Sequence, residues 1–252
     1  MKEIRNILVF GAGMMGKGIA MVLSALEDHT VTLFDVFDQD VFTPIRESFG
    51  QLAAKDVISS AEIDRRVSRI RFITDKRDAI FRQADIVIEC VFEDMKLKQD
   101  TFEELERICR PDCIFCTNTS VMSPTEISRK LEHRERFAGT HFWNPAHLIP
   151  LVEVVKTDQT DDAIAQTVID LLTCAGKKAV LCKKDVPGFI ANRMQHALWR
   201  EAISIVENGI ADAQTVDEAV KNSFGLRLPQ LPPLENAEMV GLDLKQAIHA
   251  YI

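Results

Sequence analysis

The feature that most constrains the fold is a glycine-rich turn directly after a short apolar segment near the N-terminus. Residues 7–10 are predicted to form a buried strand, and Gly11-Ala12-Gly13-Met14-Met15-Gly16 follows at once, before an apolar helical pattern. A strand, glycine turn and helix in this order predict a dinucleotide-binding unit. Gly11 would make the tight turn, Gly13 would leave room for a pyrophosphate, and Gly16 would let helix and strand pack closely.

The same unit favours one dinucleotide over another. Amides at the start of the helix, at Met14 and Met15, would bind the phosphates together with the positive end of the helix dipole. Asp35 ends the second predicted strand and would accept hydrogen bonds from the adenine ribose hydroxyls. Its charge would repel a 2′-phosphate, and no arginine stands directly after it, so NAD is favoured over NADP. The alternative is a glycine turn without a ligand.

Composition and charge limit the function classes. The 252 residues carry a formal net charge of −8, which argues against a broad nucleic-acid surface. Hydrophobic residues make up 46% and charged residues 27%, as is typical of a globular protein with a sizeable core. No apolar stretch approaches the roughly 18 residues of a membrane helix, and the N-terminal apolar run is too short for a signal peptide. We therefore expect a cytoplasmic protein without membrane or nucleic-acid partners.

The six cysteines do not suggest a disulfide framework or a metal site. Cys113 and Cys116 lie in a predicted buried strand, where residues three apart point to opposite faces. A redox or zinc pair is therefore disfavoured, and we expect no metal.

Short apolar runs alternate with amphipathic stretches up to residue 182, which predicts strands joined by crossover helices. The predicted fold class is α/β, with a Rossmann-type, mostly parallel sheet in an NAD-binding domain over residues 1–184. Strand patterns stop after this point, and a smaller, all-helical domain is predicted for residues 187–252. The candidate strands are 7–10, 31–34, 86–90, 113–117, 137–141, 151–155 and 179–182.

A histidine and a glutamate on successive predicted strands form the candidate catalytic pair. His141 ends a strand of the same sheet, so it is expected near the edge where cofactors bind, and Glu153 follows on the next strand. A histidine held by a carboxylate can act as general base or acid near neutral pH, as oxidation of a hydroxyl requires. The pair alone is weak evidence, since a given histidine is more often an ordinary surface or core residue.

Taken together and in order, these motifs resemble the 3-hydroxyacyl-CoA dehydrogenase family along nearly the whole chain. The segments that carry the resemblance, besides the glycine turn, are Ile88-Glu89-Cys90-Val91-Phe92-Glu93 with Lys96 and Lys98, Asn118-Thr119-Ser120, His141-Phe142-Trp143-Asn144-Pro145, Leu151-Val152-Glu153-Val154-Val155 and Asp185-Val186-Pro187-Gly188-Phe189-Ile190-Ala191-Asn192-Arg193.

The resemblance implies roles for individual residues. His141 would abstract the proton of the substrate hydroxyl, and Glu153 would orient it and stabilise its imidazolium. Ser120 and Asn192 would hydrogen-bond the substrate oxygen, although without the resemblance they would be a turn cap and an ordinary polar helix position. Cofactor contacts are further implied for Glu93, Lys98, Ser120 and Asn144.

The resemblance also implies a homodimer that is supported by the helical domain. Single-module members of the family usually continue past residue 252 with a Lys-Thr-Gly-x-Gly-Phe-Tyr type of ending, which this sequence lacks. We expect either a naturally short chain or a truncated one, and in both cases an incomplete helical domain. Trp143 stands where some members carry a different residue, and we interpret it as a packing variation rather than a new specificity.

Three functions stay open, all but the last with a small-molecule substrate. The first is NAD-dependent oxidation of an L-3-hydroxyacyl-CoA, or its reverse, in which the charged, predicted helical segment 47–71 would bind the CoA phosphates or be only a solvated surface. The second is oxidation of a free 3-hydroxy acid such as gulonate or carnitine. The third is a catalytically silent, crystallin-like NAD-binding protein, which has no need of the complete set Ser120, His141, Glu153 and Asn192.

Overall fold

The computed structural model describes residues 3–251, and the chain divides into two compact units, Met1–Ala191 and Asn192–Ile252. The first unit is built on one eight-stranded sheet. Its strands are β1 (Asn6–Phe10), β2 (Thr30–Phe34), β3 (Ile70–Ile73), β4 (Ile86–Glu89), β5 (Ile114–Thr117), β6 (Phe137–Phe142), β7 (Leu151–Lys156) and β8 (Lys178–Cys182).

The strand order is β3-β2-β1-β4-β5-β6-β7-β8, and every neighbouring pair is parallel except β6 and β7. The mostly parallel, Rossmann-type sheet of an α/β fold is therefore confirmed. The helices of this unit are α1 (Met14–Leu23), α2 (Phe42–Ala53), α3 (Ser60–Val67), α4 (Ile80–Gln83), α5 (Met95–Ile108), α6 (Pro124–Ile127) and α7 (Asp162–Cys174).

Both faces of the sheet are buried along the central strands β1, β4, β5 and β6, as expected where helices cover a parallel sheet on both sides, whereas most residues of β8 are at least partly exposed. Alternate residues of β1 enter two different hydrophobic clusters, with Ile7 and Val9 in one and Leu8 and Phe10 in the other. Cys116 and Cys113 divide between the same two clusters, and all six cysteines are free thiols.

The sheet brings the ends of strands from distant parts of the sequence to one edge. Because β1, β4 and β5 are parallel and in register, their last residues lie side by side. The parallel β6 continues three residues past Gly139, the partner of Thr117, to Phe142, which pairs with Val152 near the start of the antiparallel β7. We call this the carboxyl edge and define it by Phe10, Glu89, Thr117, Phe142 and Val152. In doubly wound sheets, ligands bind at this edge.

One strand of the sheet, β3, is not among the strands predicted from the sequence. β3 follows the charged segment and pairs only with β2, at the outer edge of the sheet, so Arg71 in its centre is exposed. A four-residue edge strand with a charged residue has little of the apolar pattern by which the other strands were found. The segment before it is not one long helix but α2 and α3, separated by a turn in which Asp56 adopts a left-handed φ of 56°.

The first unit extends past β8 through the connector, residues 183–190. Phe189 is buried in a small cluster with Val155 and Cys182, which holds the end of the connector against the sheet. Asp185, near its start, accepts hydrogen bonds from the Ser123 hydroxyl and from the Thr125 amide at 2.9 Å. The connector is thus fixed at both ends to the unit that contains the sheet.

The described part of the second unit is helical. Its helices are α8 (Ala191–Glu207), whose first residue still belongs to the first unit, α9 (Ala213–Lys221), α10 (Phe224–Arg227), α11 (Pro233–Val240) and α12 (Leu242–Tyr251). Large apolar side chains lie on its surface, among them Leu226, Leu234 and Tyr251. Across the described residues, no helix combines the length and the hydropathy that crossing a membrane requires.

Candidate active site

The glycine turn at the end of β1 has a geometry that excludes side chains. Gly11 has a φ of 110°, in the region that L-residues rarely adopt, and a Cβ there would lie 2.7 Å from the Cys90 carbonyl oxygen. A Cβ on Gly16 would lie 1.8 Å from the carbonyl oxygen of Gly11. The turn and α1 can therefore approach this closely only with glycine at both positions.

The helix that follows presents its first amides to a ligand. Gly13 is the N-cap of α1, no side chain caps the helix, and the first turn carries no acidic residue. A Cβ on Gly13 would meet nothing within 4 Å, so space for an anionic group lies beside these amides. Met14 is 71% exposed at the helix start, whereas Met15 is partly buried against the core. These features fit a dinucleotide pyrophosphate.

Asp35 lies next to this turn. Its carboxylate accepts hydrogen bonds from the Ala12 amide at 2.8 Å and from the Phe37 amide at 3.1 Å. The end of β2 is thereby tied to the turn at the end of β1, which places an acidic group beside the position expected for the adenine ribose.

His141 and Glu153 face each other across the antiparallel pair β6 and β7. They are direct partners in the register, and His141 Nδ1 lies 2.8 Å from Glu153 Oε2. Glu153 is fully buried and His141 is 4% exposed. Because Nδ1 is engaged by the carboxylate, the other ring nitrogen, Nε2, is the one left for a substrate.

Glu153 accepts four hydrogen bonds, although it is buried. Oε1 accepts from the amides of Ile190 at 2.9 Å and Ala191 at 3.0 Å, at the end of the connector. Oε2 accepts from His141 and, at 3.4 Å, from the indole nitrogen of Trp143. Burial alone would raise the pKa of Glu153, but the hydrogen bonds from His141 and the two amides outweigh burial and hold it below its ordinary value.

The loop after β5 lies at the same carboxyl edge. Asn118 Oδ1 accepts the Phe142 amide at 3.0 Å, which joins this loop to the end of β6 next to His141. Glu93 accepts hydrogen bonds from the Thr119 hydroxyl and from the Ser120 amide at 3.2 Å. Ser120 is thus held at the edge of the sheet that also carries the His141–Glu153 pair.

Lys98 forms a buried ion-pair network with two glutamates. Its amine, only 1% exposed, lies 2.7 Å from Glu89 Oε1 and 3.2 Å from Glu93 Oε2. Glu89 also accepts hydrogen bonds from the Thr117 hydroxyl and the Val91 amide, both at 2.7 Å. Burial would lower the pKa of Lys98, but the two carboxylates raise it, so the amine stays charged. Lys98 holds Glu93 in place here, and its cofactor contact stays a prediction.

The two remaining residues with an implied role, Asn144 and Asn192, lie in different units of the chain. Asn144 is exposed in the loop between β6 and β7, three residues after His141. Asn192 is the second residue of α8 and the first of the second unit. Among the residues that the structure describes, no cluster of three His, Cys, Asp or Glu side chains could hold a metal ion.

Sequence reasoning missed two residues of this edge. Glu89 was given no role, although a carboxylate at the end of the otherwise apolar strand β4 requires a buried partner, and Lys98 supplies it. Trp143 was interpreted as a packing variation, whereas its indole donates to Glu153. A side chain that points back across a hairpin leaves no periodic signal in a sequence.

Comparison with known protein families identifies the chain. The family model described as "3-hydroxyacyl-CoA dehydrogenase, NAD binding domain" matches residues 6–186, and that described as "3-hydroxyacyl-CoA dehydrogenase, C-terminal domain" matches residues 188–252. The chain belongs to the 3-hydroxyacyl-CoA dehydrogenase family. As a member of this family it is an NAD-dependent oxidoreductase, and the predicted cofactor, NAD, is confirmed.

Relatives of this dehydrogenase differ in what their names say they act on. The human mitochondrial hydroxyacyl-coenzyme A dehydrogenase is 34% identical over an alignment of 254 positions, which covers 97% of this chain and 79% of that protein. The 5-formyl-3-hydroxy-2-methylpyridine 4-carboxylate 5-dehydrogenase of Mesorhizobium japonicum is 32% identical over 249 residues, which cover 99% of this chain and 80% of that protein.

The solved structures that resemble this chain also include enzymes named for a CoA thioester and for a pyridine carboxylate. The (S)-3-hydroxybutyryl-CoA dehydrogenase of Ralstonia eutropha superposes with a TM-score of 0.83 at 30% identity, covering 98% of this chain and 86% of that one. A structure of 5-formyl-3-hydroxy-2-methylpyridine 4-carboxylic acid 5-dehydrogenase superposes with a TM-score of 0.85 at 32% identity, covering 99% and 80%.

Proposed function

We propose that this dehydrogenase oxidises the 3-hydroxyl of an L-3-hydroxyacyl-CoA, or catalyses the reverse reduction, with the His141–Glu153 pair as general base. The observation that carries the proposal is the 2.8 Å contact between Nδ1 of His141 and Oε2 of Glu153 at the carboxyl edge. It leaves Nε2 of a buried imidazole for a hydroxyl proton. When bound, NAD⁺ supplies the acceptor for the hydride that leaves the hydroxyl carbon.

The chemistry of the pair follows from burial and charge. As Nε2 takes the hydroxyl proton, the imidazole becomes an imidazolium inside the protein, which is costly unless an opposite charge is in contact. Glu153 provides that charge, because its lowered pKa keeps it ionised at neutral pH. In the reverse direction the imidazolium returns the proton to the developing alkoxide.

The remaining roles position substrate and cofactor. The amides at the start of α1 would bind the pyrophosphate, Asp35 the adenine ribose, and Glu93 a further part of the cofactor. Ser120, held through its amide by Glu93, would hydrogen-bond the substrate oxygen together with Asn192. The exposed amide of Asn144 would contact the nicotinamide.

The substrate class rests on the family and on one charged surface. Arg65, Arg66 and Arg69 lie on or just after α3, but each already pairs with a glutamate within 4 Å. The glutamates partly neutralise the positive charge of these arginines, so the segment 47–71 is only weak support for binding of the CoA phosphates. A second candidate, a substrate without CoA, is favoured by the similarity to the pyridine carboxylate dehydrogenase of Mesorhizobium japonicum.

An absorbance assay separates these candidates. NADH consumption or formation is followed with acetoacetyl-CoA, acetoacetate, gulonate, carnitine and 5-formyl-3-hydroxy-2-methylpyridine 4-carboxylate in parallel. We expect turnover of acetoacetyl-CoA. Turnover of a free acid without turnover of the thioester would refute the proposed substrate, and no NAD-dependent turnover of any compound would favour a silent, crystallin-like protein.

The role of His141 has a matched control within the chain. His141→Ala is expected to lower kcat by about 10²–10⁴-fold, because the general base is removed. His133 also pairs with a carboxylate, Glu135, at 3.2 Å, but on the surface, so His133→Ala tests a histidine–glutamate pair without a catalytic role. Equal activity of the two variants would place the base elsewhere.

Assembly, location and domain division are further parts of the proposal. We propose a homodimer, since the second unit exposes large side chains such as Leu234 at 80% and Tyr251 at 93%. Light scattering on the purified chain measures its mass directly. A cytoplasmic location stays a prediction, and the relatives include one whose name says mitochondrial and one whose name says glyoxysomal. A division between domains near residues 184–187 is supported by family models that meet at 186 and 188.

A further inference from the structure

We propose that Trp143 is a positioning residue of the active site, which acts on His141 through the carboxylate oxygen that both residues contact. The inference rests on the proposed function of the His141–Glu153 pair. It replaces the interpretation of Trp143 as a packing variation.

The geometry places the indole on the same oxygen as the imidazole. Trp143 Nε1 donates to Glu153 Oε2 at 3.4 Å, and His141 Nδ1 contacts the same atom at 2.8 Å. The two rings also touch, with centroids 5.4 Å apart and an angle of 48° between their planes. Trp143 therefore contacts both members of the pair.

A count of donors explains what the indole contributes. An ionised carboxylate has about four acceptor sites. The amides of Ile190 and Ala191 occupy two of them on Oε1, His141 occupies one on Oε2, and Trp143 occupies the last. Since Glu153 is 0% exposed, an acceptor site without the indole would need a water molecule or stay empty.

The direction of the effect follows from competition at Oε2. A second donor on that oxygen withdraws part of the negative charge that stabilises the imidazolium of His141. Without the indole the carboxylate attracts the imidazolium more strongly, so the acidic limb of the pH profile is expected to move to higher pH. Trp143 therefore limits how strongly Glu153 attracts the imidazolium.

Two other titratable side chains near the His141–Glu153 pair, Cys182 and Asp185, do not donate a hydrogen bond to Glu153 as the indole does. Cys182 lies on β8, next to β7, and burial is the main cause that raises the pKa of its thiol, so it is neutral. Asp185, in the connector, is engaged by the Ser123 hydroxyl and the Thr125 amide. The four hydrogen-bond donors that contact Glu153 therefore remain the main groups that stabilise its negative charge.

The first test is the pH dependence of kcat/KM for Trp143→Phe, measured with the best substrate of the panel. We expect the pKa of the acidic limb to rise by about 0.5 unit, which corresponds to part of one charge-assisted hydrogen bond. Trp199→Phe is the matched control, because Trp199 is the other of the two tryptophans, lies on α8 and contacts His196. A limb that shifts equally in both variants, or in neither, would overturn the inference.

The second test needs neither a substrate nor a stable Trp143 variant. In Trp199→Phe protein labelled with ¹⁵N-tryptophan, the one remaining indole proton is followed by NMR as the pH is changed. We expect its chemical shift to titrate, and the titration to disappear in the same protein with His141→Ala. An indole shift that is independent of pH, or that titrates equally without His141, would refute the inference.

The two tests also separate this inference from the proposed function. An indole that titrates with His141, in a protein without activity on any compound of the panel, would leave the inference standing and overturn the function. Turnover that depends on His141, together with an indole that does not respond to it, would do the opposite.

Discussion

Glu153→Gln is the substitution that most directly probes how the buried carboxylate is held. Gln keeps the size of the side chain but replaces one acceptor oxygen by an NH₂ group, which only donates. Two backbone amides donate to Oε1, and the Trp143 indole donates to Oε2 beside Nδ1 of His141, which donates in only one of its two tautomers. With its NH₂ group toward the backbone amides, the glutamine loses two hydrogen bonds. With its NH₂ group toward His141, it loses the bond from Trp143 and keeps the imidazole only in the tautomer whose Nδ1 accepts and whose Nε2 carries a proton, which cannot act as a base.

The magnitude follows from the loss of at least one hydrogen bond in either orientation. A hydrogen bond to a charged group contributes about 1.5–3 kcal/mol. We therefore expect the free energy of unfolding to fall by about 1.5–3 kcal/mol. Because a neutral amide cannot stabilise the imidazolium, kcat should fall by about 10²-fold or more.

Urea unfolding and the NADH assay measure the two effects. Glu135→Gln is the control, since Glu135 pairs with His133 on the surface, where such pairs contribute about 0–1 kcal/mol. A Glu153→Gln protein that unfolds at the same urea concentration as the unaltered chain and retains more than about a tenth of its turnover would refute this account of the site.

The effect also depends on pH in a defined direction. The pKa of Glu153 in the folded chain is lower than that of a free glutamate, about 4.3. The stabilisation is therefore complete well above pH 4.3 and is lost as the pH falls toward the lower pKa of the folded state. We expect the stability difference between the unaltered chain and Glu153→Gln to be constant near neutral pH and to shrink in acid.

Two further substitutions test the surroundings of the site. Gly16→Ala would place a Cβ 1.8 Å from the carbonyl oxygen of Gly11, so we expect loss of NAD binding in calorimetry, and unchanged affinity would contradict the observed approach of α1 to the turn. Lys98→Met would leave Glu89 buried without its cation, and a loss of about 3–5 kcal/mol in urea unfolding is expected. A loss below about 1 kcal/mol would mean that Glu89 does not need the ion pair.

The sequence predicted those elements of the fold that have a clear local pattern of apolar residues or glycines. The strand, glycine turn and α1 have a signature within a few residues, and β6 and β7 are apolar enough to be found without pairing information. β3 was missed because its pairing with β2 lies entirely at one edge of the sheet, where a charged residue such as Arg71 is tolerated.

The candidate site was predictable in its residues but not in its contacts. His141 and Glu153 could be proposed as partners, but their opposite positions depend on an antiparallel pairing that no local pattern specifies. The ion pair of Lys98 with Glu89 joins a helix to a strand nine residues earlier, and the indole of Trp143 points back across a hairpin. Such contacts result from the packing of whole elements, which a linear pattern does not contain.

The two connector amides on Glu153 have a consequence for protein engineering. A chimaera that exchanges the helical unit with that of a relative at residue 187 would also exchange the backbone at Ile190 and Ala191 that binds Oε1. A junction placed after Ala191 keeps the chain's own donors on the carboxylate. A junction between the two units should therefore be chosen by the hydrogen bonds to the buried Glu153 side chain rather than by the positions of Pro187 and Gly188 in the connector.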